Sequence, residues 1–342
     1  MESIFYPFLA AFIATILVVP PSLIILKKAR LYDDPRRHKH PAIIHKKPVP
    51  RGGGIPLFIG IIFAGIFFLP LTKITGALFF AALIALIIGV LDDKFDISPY
   101  LRFLANIAVA LIIVFFGGVN IAFITNPLGG ILNLSPLSTL ISLLWLVWVM
   151  NMLNWSKGVD GQMPGIVVIS AIVIGILSMR FSDFSQETLI ATKLSFIIAG
   201  ASLGFLLFNF YPAKIFPGYG ATAVYLLLGA VSIISSAKLA TAILVMGVPM
   251  VDGVFTIVRR ILTGRSPFWH DNKHLHHLLL RLGFKQPAIA VFYWFVSALL
   301  GVTSLLLSSR GKLFAIIMLA VVVGGALLFL HFILRRNEKN TF

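Results

Sequence analysis

Long apolar runs separated by short polar loops set the pattern of this chain. A helix needs roughly 20 apolar residues to cross a bilayer. A window of that length finds about eleven such segments, near 4–26, 53–71, 75–91, 101–117, 137–155, 162–179, 189–208, 220–236, 239–258, 288–307 and 313–334. The pattern therefore predicts an all-α, polytopic transmembrane helix bundle. Neither a linker, a low-complexity stretch nor an internal repeat interrupts it, so one membrane domain over 1–342 is expected. The first run is preceded by Glu2 and followed by Lys27, Lys28 and Arg30. A signal peptide has the opposite order, so this run reads as a retained span with its N-terminus outside.

Composition agrees with the pattern. At 59% hydrophobic and 12% charged residues, the chain is not an ordinary soluble domain. Its net charge of +16 would suggest nucleic acid in a soluble protein, so the placement of that charge matters. With the N-terminus outside, the inner loops hold 22 of the 28 Lys and Arg and seven of the eight His. Positive charge inside is the normal bias of membrane proteins, and anionic lipid of the inner leaflet suffices as its partner. Nucleic acid is not expected. The absence of cysteine excludes disulfides and thiolate chemistry. The outer loops hold five Lys and Arg (Lys73, Arg180, Lys238, Arg310 and Lys312) and carry little else beyond Asp183 and Glu187, so any chemistry is expected on the inner face.

Three stretches stand out there. "GVLDDKFDISPYLRF" sets Asp92 and Asp93 where an apolar helix leaves the membrane, with Lys94, Asp96 and Arg102 close behind. Paired carboxylates at a bilayer edge repel and are partly desolvated unless a cation compensates; Mg²⁺ with hard oxygen ligands is one such cation, and a solvated helix end is the bland alternative. "HDNKHLHHLLLRLGF" holds His270, His274, His276 and His277, with His274 and His277 three apart as on one helical face and Arg281 one turn on. Imidazoles in a basic loop can donate to phosphate or take protons; the spacing is not that of a zinc hydrolase. "NMLNWSKGVDG" offers Asn151, Asn154, Lys157 and Asp160 with Gly158 and Gly161, a tight turn that could equally be a simple connector.

Two further features have ordinary explanations. Lys46, Lys47 and Arg51 before "GGGIP" read as inner positive charge. Asp252, inside an apolar run, is expected to pair with Arg259 or Arg260.

In series, "KKPVPRGGGIPLFIG", "GVLDDKFDISPYLRF", "NMLNWSKGVDG", "FNFYPAKIFPGYGATAVYLLLG" and "SPFWHDNKHLHHLLLRLGF" resemble the polyprenyl-phosphate N-acetylhexosamine-1-phosphate transferases, of glycosyltransferase family 4 type, over essentially the whole chain. Eleven spans and an outer N-terminus resemble the N-acetylglucosamine branch more than the branch that makes lipid I. The resemblance implies a multi-pass protein of the bacterial plasma membrane. It would transfer N-acetylhexosamine 1-phosphate from a UDP-sugar to polyprenyl phosphate, releasing UMP, with Mg²⁺ bound, as the first membrane step of a cell-surface glycan. Implied partners are UDP-N-acetylhexosamine, polyprenyl phosphate, membrane lipid and a second copy in a homodimer. By position, Asp92 and Asp93 would act at the lipid phosphate and metal, and His274, His276 and His277 at phosphate or sugar. Asn154 would ligate the metal. Asp160 and Asn209 would lie around the nucleotide and Phe216 on uracil, with Lys94, Arg102 and Lys157 as further substrate contacts.

The chain departs from that family at two positions. Where the family's loop has its main metal-binding aspartate, this one reads Gly218-Tyr219-Gly220, and a phenol with a reference pKa near 10 is a doubtful Mg²⁺ ligand. Lys157 replaces another usual aspartate, adding a cation beside the pyrophosphate position. Three readings follow. One is an active transferase with an altered metal site. Another is a catalytically impaired relative that binds polyprenyl phosphate or nucleotide sugar. The third, a transporter of a lipid-linked anion, would need polarity spread across the bilayer rather than gathered on one face.

Overall fold

The computed structural model describes residues 2–33, 48–127, 129–180, 185–234, 239–269 and 271–339; Lys46, Lys47, Asp183, Lys238 and His270, singled out above, lie outside them. The chain is an all-α bundle with two short β-ribbons. Its helices are α1 (Glu2–Lys28), α2 (Gly54–Phe68), α3 (Lys73–Phe95), α4 (Pro99–Leu111, continued as a π-turn over Ile112–Phe116), α5 (Ser138–Trp155) and α6 (Gln162–Met179). After these come α7 (Gln186–Asn209), α8 (Thr222–Ile234), α9 (Leu239–Val245), α10 (Gly247–Leu262), α11 (Leu275–Arg281), α12 (Gln286–Leu306) and α13 (Ser309–Lys339). Helices answer the membrane's demand that every backbone N–H and C=O be satisfied within its own segment.

Each expected apolar segment forms helix, but they do not all cross alike. Among the described residues, eight helices are long and apolar enough to span, while α2 and α8 have only 15 and 13 residues. The expected single span 239–258 is broken: α9 and α10 meet at 85°. The break falls at Gly247, with Pro249 in the first turn of α10, where its missing N–H costs nothing. The sequence shows apolar length but not the bend, since a broken helix keeps the same hydropathy.

α8 is the centre of the bundle. All 13 of its residues are buried, as expected of a helix apolar all round, and it packs against α3, α5 and α7. α1 lies along α7 and α2, α6 sits between α7 and α12, and α10 packs on α13. In lipid, such contacts rely on close packing rather than on water exclusion, which favours small residues at crossings. At the α1–α7 crossing, a Cβ on Gly200 would stand 2.1 Å from the Phe8 carbonyl oxygen, a backbone atom that cannot rotate away.

This crossing is testable. Gly200→Leu is expected to lower thermal stability in detergent by about 1–3 kcal/mol, the usual range for overpacking. Gly324→Leu, where nothing lies within 4 Å, should leave the melting curve unchanged.

Candidate active site

Two adjacent carboxylates close α3, and both are buried. Asp92 Oδ1 lies 3.3 Å from Arg102 Nε, and Arg102 Nη1 donates to Asp92 Oδ2 at 3.4 Å. Asp93 Oδ1 is 2.7 Å from Arg51 Nε and accepts the Tyr219 backbone N–H at 2.7 Å. Asp93 Oδ2 lies 3.5 Å from the Gly220 N–H. Asp93 therefore holds the loop that opens α8, a favourable place for an anion. Arg51 also reaches within 3.9 Å of Asp92, so the two guanidinium groups and the two carboxylates form one network.

The loop before α8 is pinned on its other side too. Phe216 N donates to Pro50 O, while Gly53 N and Gly54 N donate to the Phe216 and Pro217 carbonyls. α2, α3 and this loop meet backbone against backbone: a Cβ on Gly54 or Gly89 would sit 2.2 Å or 2.4 Å from Gly220 main-chain atoms. Only glycine admits that approach.

Lys157 and Tyr219 meet across this loop. Lys157 Nζ donates to Gly218 O at 2.9 Å and lies 5.6 Å from the centre of the Tyr219 ring; the Arg102 guanidinium carbon stands 5.5 Å from the same ring. Tyr219 thus sits between two cations, a favourable arrangement for a π face. Its hydroxyl accepts from Asn106 Nδ2 at 3.1 Å. Burial pushes the phenol up to about 12. Burial and the Arg51 charge push the Lys157 ammonium down to about 7, against the pull of Asp93 and Asp92. Asn154 lies nearby on α5; its Nδ2 donates to Thr222 Oγ1, and its Oδ1 is buried without a hydrogen-bond partner.

The histidines form a second cluster against the first. His274 caps α11, and its ring stacks on His276 at 5.7 Å, which in turn meets His277 at 4.3 Å. A Cβ on Gly158 would stand 2.2 Å from His276 Nε2, so the α5–α6 turn lies directly on this ring. Both His276 nitrogens are buried with no hydrogen-bond partner. Burial, with His277 and His274 beside it, holds this imidazole well below its ordinary pKa, hence neutral near pH 7.

Asp252 does not pair with Arg259 or Arg260 as expected. It accepts from His274 Nδ1 at 2.7 Å and from the Leu275 N–H at 3.0 Å. The two arginines instead bind Asp271, at 2.9 and 3.0 Å. Asp252, Thr256 and Arg260 lie four apart on α10 and so share one face. That face carries the histidine loop, with Thr256 Oγ1 3.4 Å from His274 Nδ1. Burial alone would raise the Asp271 carboxyl; the hydrogen bonds and charges of Arg260 and Arg259 overcome it and bring it down to about 2.

The other expected site residues act as braces or stand apart. Asp160 Oδ2 accepts the Ala213 N–H at 3.0 Å. Asn209 donates to Ile215 O and accepts from Gly161 N. Phe216 is buried. Lys94 is exposed over the Phe95 ring, away from the network. Sequence reading missed Arg51, absorbed into a general basic run, and Asn106, which carries no motif. It also missed the tie of Asp252 to His274, whose only sequence sign was a carboxylate inside an apolar run.

Comparison with known proteins supplies a context for this geometry. The family model described as "Glycosyl transferase family 4" matches residues 75–236. The chain is 28% identical over 323 residues to the probable undecaprenyl-phosphate N-acetylglucosaminyl 1-phosphate transferase of Bacillus subtilis, covering 90% of this chain and 86% of that one. It is 29% identical to the decaprenyl-phosphate N-acetylglucosaminephosphotransferase of Mycobacterium leprae, over 86% and 83% of the two chains. It is also 29% identical to the undecaprenyl-phosphate alpha-N-acetylglucosaminyl 1-phosphate transferase of Escherichia coli K12, over 81% and 76%.

The Asp271 clamp makes a pH prediction. A depressed carboxyl pKa contributes stability that is present above the unfolded value near 4 and fades as pH falls toward about 2. Asp271→Asn should lower stability on the order of 3 kcal/mol, as for a broken buried pair. The gap from wild type should stay constant from pH 8 to about 5 and close under stronger acid, read by thermal melts across pH.

Proposed function

We propose that this chain, as a member of glycosyl transferase family 4, moves N-acetylhexosamine 1-phosphate from a UDP-sugar onto a polyprenyl phosphate, with release of UMP. It is a multi-pass membrane protein, and its bacterial relatives support an inner-membrane location; on this reading the reaction is the first membrane step of a surface glycan. The observation that carries this reading is the meeting of Arg51, Asp93, Lys157, Gly218 and His276, from five separate segments, at one end of the bundle.

The chemistry asks mainly for charge neutralisation and alignment. A lipid phosphate oxygen attacks the phosphorus that bears the sugar; the bond from that phosphorus to the bridging oxygen breaks, and UMP leaves with that oxygen. Arg51, Arg102 and Lys157 offset the charge on the transferred group. Asp92 and Asp93 hold the two arginines, and Asp92 takes any proton the acceptor carries. His276, neutral and unpartnered, donates one hydrogen bond to phosphate or sugar, while Asp252 fixes His274 as a donor at Nδ1. Asp160 and Asn209 keep the nucleotide-side loops together. The impaired-relative reading drawn from Tyr219 receives no support from these relatives, all named as transferases.

Magnesium, which the resemblance implies, does not fit these residues. Asp93 already serves Arg51 and the Tyr219 N–H, and Asp92 faces Arg102, its Oδ1 buried without a hydrogen bond. Among the described residues, no three His, Asp or Glu converge as a metal site. Tyr219 offers a neutral phenol already bonded to Asn106, and the unpartnered Asn154 Oδ1 and Asp92 Oδ1 are two oxygens where Mg²⁺ takes about six.

UMP release from UDP-N-acetylglucosamine with undecaprenyl phosphate tests the proposal. Wild type should turn over. Asp93→Asn and His276→Ala should each lose about 10²–10³-fold, as expected for removing one preorganised charge or donor. A silent wild type with every common UDP-amino sugar would overturn it.

A further inference from the structure

We infer that this site binds the diphosphate of its nucleotide sugar with protein cations alone, Lys157 supplying positive charge that a divalent metal would otherwise supply. The inference rests on the transferase reading for the identity of the ligand. Its ground is the charge and donor inventory of the network. Three basic groups, Arg51, Lys157 and Arg102, converge on two buried carboxylates, with Asp33 and the exposed Asp96 also acting on Arg51. A divalent cation placed beside these three basic groups would be repelled by them, whereas an anion would be attracted.

Donor geometry points the same way. Lys157 has three N–H bonds and uses one, on the Gly218 carbonyl. Two donors remain at the mouth of a loop whose backbone is held rigid by Asp93, Pro50 and the Gly54–Gly220 contact. His276, across Gly158 from this loop, adds a buried imidazole with both nitrogens unpartnered. Tyr219 is the reason a metal is disfavoured and a lysine is held. Its ring lies 5.6 Å from Lys157 Nζ and 5.5 Å from the Arg102 guanidinium carbon, a π face for both. Tyr219 and Lys157 therefore act as one unit: a carboxylate at either position would cancel positive charge that recognises phosphate.

UDP is the probe, titrated calorimetrically into the full-length chain in detergent with excess Mg²⁺ or with EDTA. The expected result is the same affinity in both buffers. Lys157→Gln should weaken binding about tenfold or more, the worth of one charge-assisted hydrogen bond. Because that variant could misfold, Tyr219→Asp with Lys157→Asp is the second arm, and it should bind UDP only when Mg²⁺ is present. Wild-type binding that needs Mg²⁺ overturns the inference and leaves the transferase reading intact. Equal binding in both buffers without UMP release upholds the inference and overturns that reading. Absence of UDP binding in both buffers overturns the inference, and UMP release then decides the reading separately.

Discussion

Two carboxylates buried side by side at the end of a membrane helix are the constraint on which this site depends. In an apolar bundle such a pair repels and is desolvated, so its neighbours must supply positive charge and hydrogen bonds. They do so from three directions. Arg51 arrives from the strand before α2, Arg102 from α4, and backbone N–H groups from the loop that opens α8. Satisfying Asp92 and Asp93 therefore brings together segments far apart in the chain.

The buried helix α8 makes that arrangement rigid. It is too short to cross a membrane alone and is covered on every side, so its position is set by packing and its first turn by Asp93. The histidine loop is held independently, through Asp252 and the Asp271–arginine clamp on one face of α10. The bend between α9 and α10 leaves α10 set apart from α9 and carrying that loop. Two separately braced clusters then face each other across Gly158, one rich in cations and the other in neutral imidazole. This is an arrangement for holding phosphate groups in line rather than for covalent chemistry.

Much of this was legible from residue order. Apolar runs located the helical segments other than the short α11, and the motif series marked Asp92, Asp93, Lys157, Tyr219 and the histidines as neighbours to be. What stayed hidden depended on partners across space. Arg51 looked like one more inner positive charge until it stood 2.7 Å from Asp93. Asp252 had two arginines within reach along its own helix, yet the histidine loop took it and Asp271 took them. Asp160 and Asn209, expected around the nucleotide, each accept from the backbone of the other's loop. The 85° bend was invisible because hydropathy does not record direction.

Tyr219 and Lys157 change the meaning of the whole network, turning a place for a metal into a place already supplied with positive charge. The most direct measurement is the electron paramagnetic resonance of Mn²⁺, a Mg²⁺ surrogate, titrated into the purified chain at saturating UDP. The account predicts that the bound Mn²⁺ equals that of UDP alone without protein. One additional Mn²⁺ per chain would contradict it.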